Sequence, residues 1–462
     1  MSGEPRRVRV AVVGAGYTGL VAAYRLACRG HEVEVLERGH DAGGLAGDFR
    51  MHGACVEKSY HVVVPTDDYL VALIEELGLG PRLAWPHSRV CFFHGSRIYP
   101  FNGPVDLLRF SPLPFLDRLR VGLTIAVLQR TKRTWRKFDR VTAATWMRRY
   151  AGDAAYEVMW APLLRGKFDR FHDRVSMQWL WGRIKQRVDI RRPGVGGETL
   201  GVLAGGYHVL TQELLRRLAD AGVVTRYGTE VQALRWDPPS RQVRAALGNG
   251  AGATASASYD RVVVTGPSPV FARMIEGASE ATPDQLARLR AVPYLGAVSL
   301  VFSSTQVISD YFWHNISAPA WPFLVFVNLT CLRDPAEFDG RQIYYVASYV
   351  DHDDPLFAEP EDALLGRWFD ALLRMFPAFD RRRVEERALF RMRYAQHVVE
   401  PGYAQRIPPY RSAVPGVYLA NFSQIYPQDR GTNFSIREGD RIARLVDDDV
   451  VRAGGPRVVD LA

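Results

Sequence analysis

Cysteine is scarce in this sequence, and lysine scarcer than the charge implies. Cys28, Cys55, Cys91 and Cys331 are scattered, with no Cys-x-x-Cys pair. That excludes a disulfide scaffold and a cysteine-built zinc or iron–sulfur cage; no metal site is expected, and a reducing compartment fits. No stretch approaches the roughly 20 continuous apolar residues that span a bilayer, so no transmembrane segment is expected. A cleavable leader is not expected either, because the apolar run Val8 to Val13 leads directly into a glycine cluster. A cytoplasmic location is the expectation. Only five lysines stand among 59 basic residues, so the net charge of +9 is almost entirely arginine. The excess reflects either genomic base composition or attraction of an anionic ligand or surface. Nucleic acid is not expected as a partner, since no zinc finger or aromatic RNA-binding signature occurs.

What is present is the composition of a globular chain: 462 residues, 47% hydrophobic and 24% charged. That is enough for two or three domains, or one large α/β assembly with an inserted lobe. Near the start, an apolar strand meets Gly14-Ala15-Gly16-Tyr17-Thr18-Gly19, and Leu20 to Arg29 has helical composition. A second apolar stretch, His31 to Leu36, ends in Glu37, which completes a β-α-β unit. Gly14 permits the tight turn, Gly16 lets backbone approach a pyrophosphate, and Gly19 lets the helix pack closely on the strand. Glu37, eighteen residues beyond Gly19, is placed to accept hydrogen bonds from the ribose hydroxyls of an adenosine. Arg38 follows, and then a second glycine pair, Gly43-Gly44, with Leu45 behind it.

Two later stretches read as parts of the same nucleotide-binding lobe. One runs from Gly205-Gly206 through a helix at Thr211 to Asp220 and a strand at Val223 to Tyr227, then to Val262 through Pro267. The other is the strand Gly416 to Asn421 with the helical Ser435 to Asp447. Between them, residues 104–190 are rich in arginine, leucine and tryptophan at helical spacing, whereas 293–350 are β-branched and aromatic. The expected division is 1–100, 201–290 and 391–462 for the nucleotide-binding domain with its tail. The second domain takes 101–200 as its helical part and 291–390 as its strand part.

The glycine pair after the acidic strand end resembles the flavin-specific extension found in amine oxidases, protoporphyrinogen oxidases, phytoene desaturases and UDP-galactopyranose mutases. Glu57 to His61, Tyr99 to Asn102, Trp160 to Phe168, Tyr418 to Asn421 and Ile425 to Asn433 extend the resemblance to bacterial FAD-dependent oxidoreductases, from Val8 to about Leu445. The resemblance implies a Rossmann-like FAD-binding domain of the glutathione-reductase type, an α/β fold, with a discontinuous α+β substrate domain. It implies FAD rather than NAD, and a small-molecule substrate oxidised by hydride transfer to the flavin. His61 after an aromatic, and Pro100-Phe101-Asn102, are also similar to UDP-galactopyranose mutase, so redox-neutral chemistry on a nucleotide- or lipid-linked sugar is the alternative. A flavoprotein that binds without turnover is a third reading. Three departures narrow the family. Leu45 stands where amine oxidases carry arginine, Gly431 where one tyrosine of their aromatic cage would lie, and Asn328 to Cys331 replace Glu-His-Thr-Asn.

Several residues carry specific expectations. Gly14, Ala15, Gly16, Gly19, Glu37, Arg38, Gly43, Gly44, Leu45, Val231, Asn421, Gly431, Thr432 and Asn433 are expected to hold the cofactor: Val231 through backbone contact with adenine, Asn421 at the pyrophosphate. Thr432 and Asn433 precede a helix whose positive end would stabilise the reduced ring. No cysteine follows Cys331, so a C-terminal cysteinyl linkage is excluded and the FAD is expected to be non-covalent. His61 is the candidate acid–base, since imidazole titrates near neutral pH. Arg430 either contacts flavin or an anionic substrate, or is an ion-pair partner of Asp429. Lys167 and Arg165 either meet a phosphate or sit in a solvated loop. From Leu113 to Arg140, an apolar run followed by Arg130, Lys132, Arg133, Arg136 and Lys137 reads either as a lobe helix with a basic end or as an amphipathic helix resting on an anionic bilayer while a lipid-soluble substrate enters; a lipid-linked substrate is one expectation for the partner. The sequence leaves the number of subunits open.

Overall fold

A computed structural model describes residues 7–131, 135–189, 198–248, 254–317 and 321–453. The apolar strand Arg9–Val13 is the centre of a five-stranded parallel sheet, in the order Val224–Arg226, Glu32–Leu36, Arg9–Val13, Arg261–Val264, Val417–Leu419. Its side chains alternate between two cores. Val10 and Val12 face the helices Tyr17–Cys28, Tyr207–Asp220 and Thr432–Arg452. Ala11 and Val13 face an antiparallel meander, Glu230–Asp237, Gln242–Gly248 and Thr254–Tyr259, and the helix Ser268–Ile275. Both faces are covered, which is why the strand reads as a continuous apolar run.

The other lobe is built on a seven-stranded sheet. Its order is Val384–His397, Tyr294–Ser304, Gln342–Val350, Val325–Asn328, Trp313–Ile316, Val90–His94, Arg97–Pro100. Tyr294–Ser304 is buried along its whole length. Val298, Leu300 and Phe302 pack on the helix Glu361–Met375, whereas Val301 belongs to the core shared with Met51, Val56 and Leu200. Helices between 104 and 189 form a separate layer around Trp160, Phe168 and Trp179. The architecture is α/β, a Rossmann-like domain of the glutathione-reductase type with a discontinuous α+β second domain. The second sheet draws its strands from both sides of the expected seams at 100/101 and 390/391, since Val90–His94, Arg97–Pro100 and all of Val384–His397 hydrogen-bond into it. Short apolar strands look alike in sequence whichever sheet they join.

Three helices start earlier than their apolar periodicity implies: at Tyr17, Tyr207 and Thr432 rather than Leu20, Thr211 and Ser435. Each is preceded by a glycine N-cap, Gly16, Gly206 or Gly431, so the Ser/Thr/Asp signal that marks a helix start is missing. Among the described residues, no helix is long and apolar enough to cross a membrane.

Candidate functional site

The turn after Arg9–Val13 closes tightly on the helix that follows. Gly14 has φ +108°, and a Cβ there would lie 2.5 Å from Thr265 Oγ1; one on Gly19 would lie 1.9 Å from the Gly14 carbonyl oxygen. Gly16 is different, because a Cβ there would meet only Gly44 Cα, at 3.9 Å. The second glycine pair rests on this turn through the Gly43 amide, which donates to the Ala15 carbonyl at 2.9 Å. Glu37 is fixed by two backbone amides, Ala15 N–H to Oε2 and Gly39 N–H to Oε1, each at 2.7 Å.

Over this floor runs a cleft of about 870 Å³. Gly14, Gly16, Glu37, Arg38, Gly43, Gly44, Leu45 and Val231 line it, and His61, Arg430, Gly431 and Thr432 line its far end. Val231 sits at a bulge, where the strand pairing slips between Val231 and Ala233. Ala15 and Gly19 lie behind the floor and shape it. Asn421 does not line the cleft. Its side chain is 1% exposed, donates to the Gly266 carbonyl at 2.8 Å and accepts from the Ser423 amide at 2.9 Å. It ties together the ends of two sheet strands, in place of the expected direct contact with phosphates.

A second cavity of about 210 Å³ adjoins the cleft and shares Leu45, His61, Met392, Arg430, Gly431 and Thr432 with it. Asn433 lines this cavity, and its Oδ1 accepts the Leu70 amide at 3.0 Å. The helices Tyr17–Cys28 and Thr432–Arg452 both begin without a side-chain cap; Tyr17 and Thr18 line the cleft and Thr432 lines both cleft and cavity, so each space has an uncapped helix start at its wall.

The charged residues of the cavity form one cluster. Asp429 accepts from Trp179 Nε1 at 2.8 Å and pairs with Lys167 Nζ at 2.9 Å, with Arg183 3.8 Å away. Burial opposes ionisation of Asp429, yet Lys167, Arg183 and Arg430 hold its carboxyl well below the usual carboxylate range. Arg430 donates its backbone amide to Asp429 Oδ1 at 3.0 Å, while its guanidinium hydrogen-bonds elsewhere. It donates to Tyr349 Oη at 2.8 Å and Gln396 Oε1 at 3.1 Å. Tyr349 is driven down, burial being outweighed by Arg430 and Lys167. Lys167 lies on the helix Ala161–Phe168 and is buried, not in a solvated loop, whereas Arg165 pairs with exposed Glu157. Sequence reasoning missed Tyr349, Arg183 and Asp67. Each sits in a different element, and no spacing links them.

His61 donates its Nδ1–H to the Ser59 carbonyl at 2.7 Å, which fixes the tautomer and leaves Nε2 as an acceptor. Desolvation, reinforced by Arg430, lowers its pKa to about 4. The imidazole is therefore neutral at neutral pH, which corrects the expectation of near-neutral titration. Asn328 to Cys331 do not line either cavity. Asn328 is 1% exposed and donates to the Ser309 carbonyl at 2.8 Å.

Asp67 is the group that titrates near neutrality. It lines the cavity, accepts the Val64 amide at 2.9 Å, and is pushed up by burial from 3.8 to about 7, the hydrogen bond pulling the other way. A raised carboxyl favours folding most at low pH, and that contribution is lost as pH rises through the folded pKa. Asp67→Asn keeps the acceptor. It is expected to leave stability unchanged at about pH 4 and to raise it by roughly 4 kcal/mol at about pH 8, measured by urea unfolding. An equal effect at both pH values counts against this titration.

A glycine turn under an uncapped helix, an amide-fixed acid at the next strand end and a cleft closed by a second uncapped helix define a dinucleotide-binding protein of two interleaved lobes. The chain belongs to the flavin-containing amine oxidoreductase family, whose model matches residues 17–445, and its cofactor is FAD. The chain is 26% identical over 172 residues to mitochondrial protoporphyrinogen oxidase from Nicotiana tabacum, covering 37% of this chain and 34% of the relative. It spans between a third and two fifths of the length of three of the curated relatives it matches, and less of others. By fold it is similar to cyclohexylamine oxidase from Brevibacterium oxydans, with a TM-score of 0.72 at 16% identity over 97% of this chain and 100% of that one. It is also similar to reduced UDP-galactopyranose mutase, with a TM-score of 0.74 at 15% identity over 97% and 96%. The residues present fit FAD. A methyl group at Gly16 would meet no protein atom but Gly44 Cα, at 3.9 Å, so the space beside Gly16 is open to a bound pyrophosphate.

Proposed function

We propose that the chain is an FAD-dependent oxidoreductase that removes hydride from a small anionic molecule held in the 210 Å³ cavity. The observation that carries this reading is the set of six residues common to cleft and cavity, which brings one bound molecule against the end of the other. Gly14, Gly16, Gly43, Gly44 and the first amides of Tyr17–Cys28 would hold the phosphates, Glu37 the adenosine ribose, and Val231 the adenine. Gly431 and the uncapped start of Thr432–Arg452 would face the ring. When bound, FAD supplies the two-electron acceptor for the hydride, and dioxygen or another acceptor takes those electrons in turn. No cysteine is among the described residues lining either cavity, which supports non-covalent binding.

The chain's own groups do the rest. Tyr60 and Trp313, with ring centroids 4.9 Å apart, supply an apolar wall. Lys167, Arg183 and Arg430 give the cavity a positive lining that favours an acidic group on the substrate. His61 Nε2 offers a neutral acceptor, and Asp67, titrating near pH 7, can hold or release the proton left behind.

The same cationic lining favours a second reading, a redox-neutral isomerisation of a nucleotide- or lipid-linked sugar held by its diphosphate. Anaerobic mixing with candidate substrates separates the two. Bleaching of the absorbance at about 450 nm that oxidised flavin gives supports hydride transfer. Product formed only after dithionite reduction replaces it with the second reading, and saturable binding with neither outcome makes the protein a binding module.

A further inference from the structure

One surface of the second lobe is apolar without covering anything. Leu116, Leu119, Leu123 and Val127 on the helix Phe115–Arg130 are 77%, 46%, 68% and 52% exposed. At 3.6 residues per turn they fall within about 80° of one another. Val105 and Leu108 on the neighbouring helix Pro104–Arg109 are 57% and 44% exposed. The Arg118 guanidinium locks the two helices together, donating to the Leu108 and Leu113 carbonyls at 2.7 Å each. The opposite side of Phe115–Arg130, with Val121, Thr124 and Leu128, is buried, so the fold is already satisfied without the outer stripe. Seven of the fourteen exposed large hydrophobic side chains of the described residues lie between 105 and 127. Scattered exposure of this kind is ordinary; concentration on one face marks an interaction surface.

Charge selects the partner. Between 104 and 140 the described residues expose six basic side chains, Arg109, Arg120, Arg130, Arg136, Lys137 and Arg140, and no acidic one. Lys132 and Arg133 of the sequence reading lie outside the described residues. Arg109, Arg120 and Arg130 stand on the two helices of the face itself, and a second copy would bring the same cations against them, so like charges oppose self-pairing across this face. We propose that the face seats the protein on an anionic bilayer, with the leucine stripe at the acyl boundary and the basic groups among lipid phosphates. The interior behind the face is consistent with this seat. Ile125, on the inner side of the same helix, lines an apolar cavity of about 200 Å³ with Phe92, Trp160 and Leu163, and that cavity meets the site cavity at Arg183 and Trp313.

The test is flotation of the flavin-loaded protein with vesicles of roughly one-third phosphatidylglycerol in phosphatidylcholine, and with phosphatidylcholine alone. Binding to the anionic vesicles is expected, at least tenfold weaker to the neutral ones, and weakened by salt. Leu119→Glu with Leu123→Glu is expected to lower it at least tenfold, with flavin absorbance and thermal unfolding unchanged, both positions being exposed. Failure to bind anionic vesicles, undiminished binding by the double variant, or a dimer in sedimentation velocity that the double variant dissolves would overturn the proposal. Flavin content and bleaching are read without vesicles, so a failure here is distinct from a failure of the proposed reaction.

Discussion

Gly16→Ala is expected to yield a folded protein that has lost its yellow colour. The backbone at Gly16 has φ −76°, which alanine adopts freely, and the added methyl would meet only Gly44 Cα at 3.9 Å. The methyl therefore costs the protein little and fills the space that a pyrophosphate must approach. FAD affinity is expected to fall by about two orders of magnitude, close to 3 kcal/mol, with the urea midpoint of the flavin-free protein unchanged. Gly19→Ala makes the contrast. Its methyl would lie 1.9 Å from the Gly14 carbonyl oxygen and 3.1 Å from the Gly14 carbonyl carbon, so the helix must move off the strand. A loss of roughly 3 kcal/mol is expected there before any ligand binds. If both variants lose stability equally, the cleft is not the cofactor cradle argued above.

Asp429→Ala is expected to be among the most destabilising single changes in the second cavity, at about 3–5 kcal/mol. It removes the acceptor for Trp179 Nε1 and the partner of Lys167 Nζ, both within 2.9 Å, and leaves a buried ammonium beside Arg183 and Arg430. Because the folded carboxyl titrates well below its usual range, its contribution is present above the unfolded pKa of about 4 and lost as pH falls through the folded value. The gap between wild type and Asp429→Asn should therefore shrink on acidification. Lys167→Met combined with Asp429→Leu is expected to recover much of the loss, since an apolar pair needs no compensation. Unfolding measured on the two single variants and the double variant gives the coupling directly. A coupling near zero would mean that Lys167 and Asp429 are each held by other partners.

The geometry of the proposed nucleotide half was legible because it is local. Gly14, Gly16 and Gly19 shape one β-α-β turn and the Glu37 carboxylate is fixed on it by two backbone amides, and spacing along the chain is spacing in space. Asn421 was misjudged for the converse reason: a strand end beside a phosphate site and a strand end braced against Gly266 carry the same residue. Arg430 was left between two partners, and the structure gave it a third, Tyr349, 81 residues away. His61 was assigned an ordinary imidazole because sequence carries no record of desolvation.

The sequence by itself determined the β-α-β unit, the turn, the acid and the glycine pair, because each rests on short-range periodicity and spacing; the flavin followed from the family resemblance those motifs carry. Only the tertiary structure decided which charges meet and which hydrophobic residues remain outside. Asp429 meets Lys167 across 262 residues, and Leu119 is exposed while Val121, two residues away, is buried. Such pairings depend on how separate elements pack, and packing energy is a property of surfaces in contact rather than of neighbours along the chain.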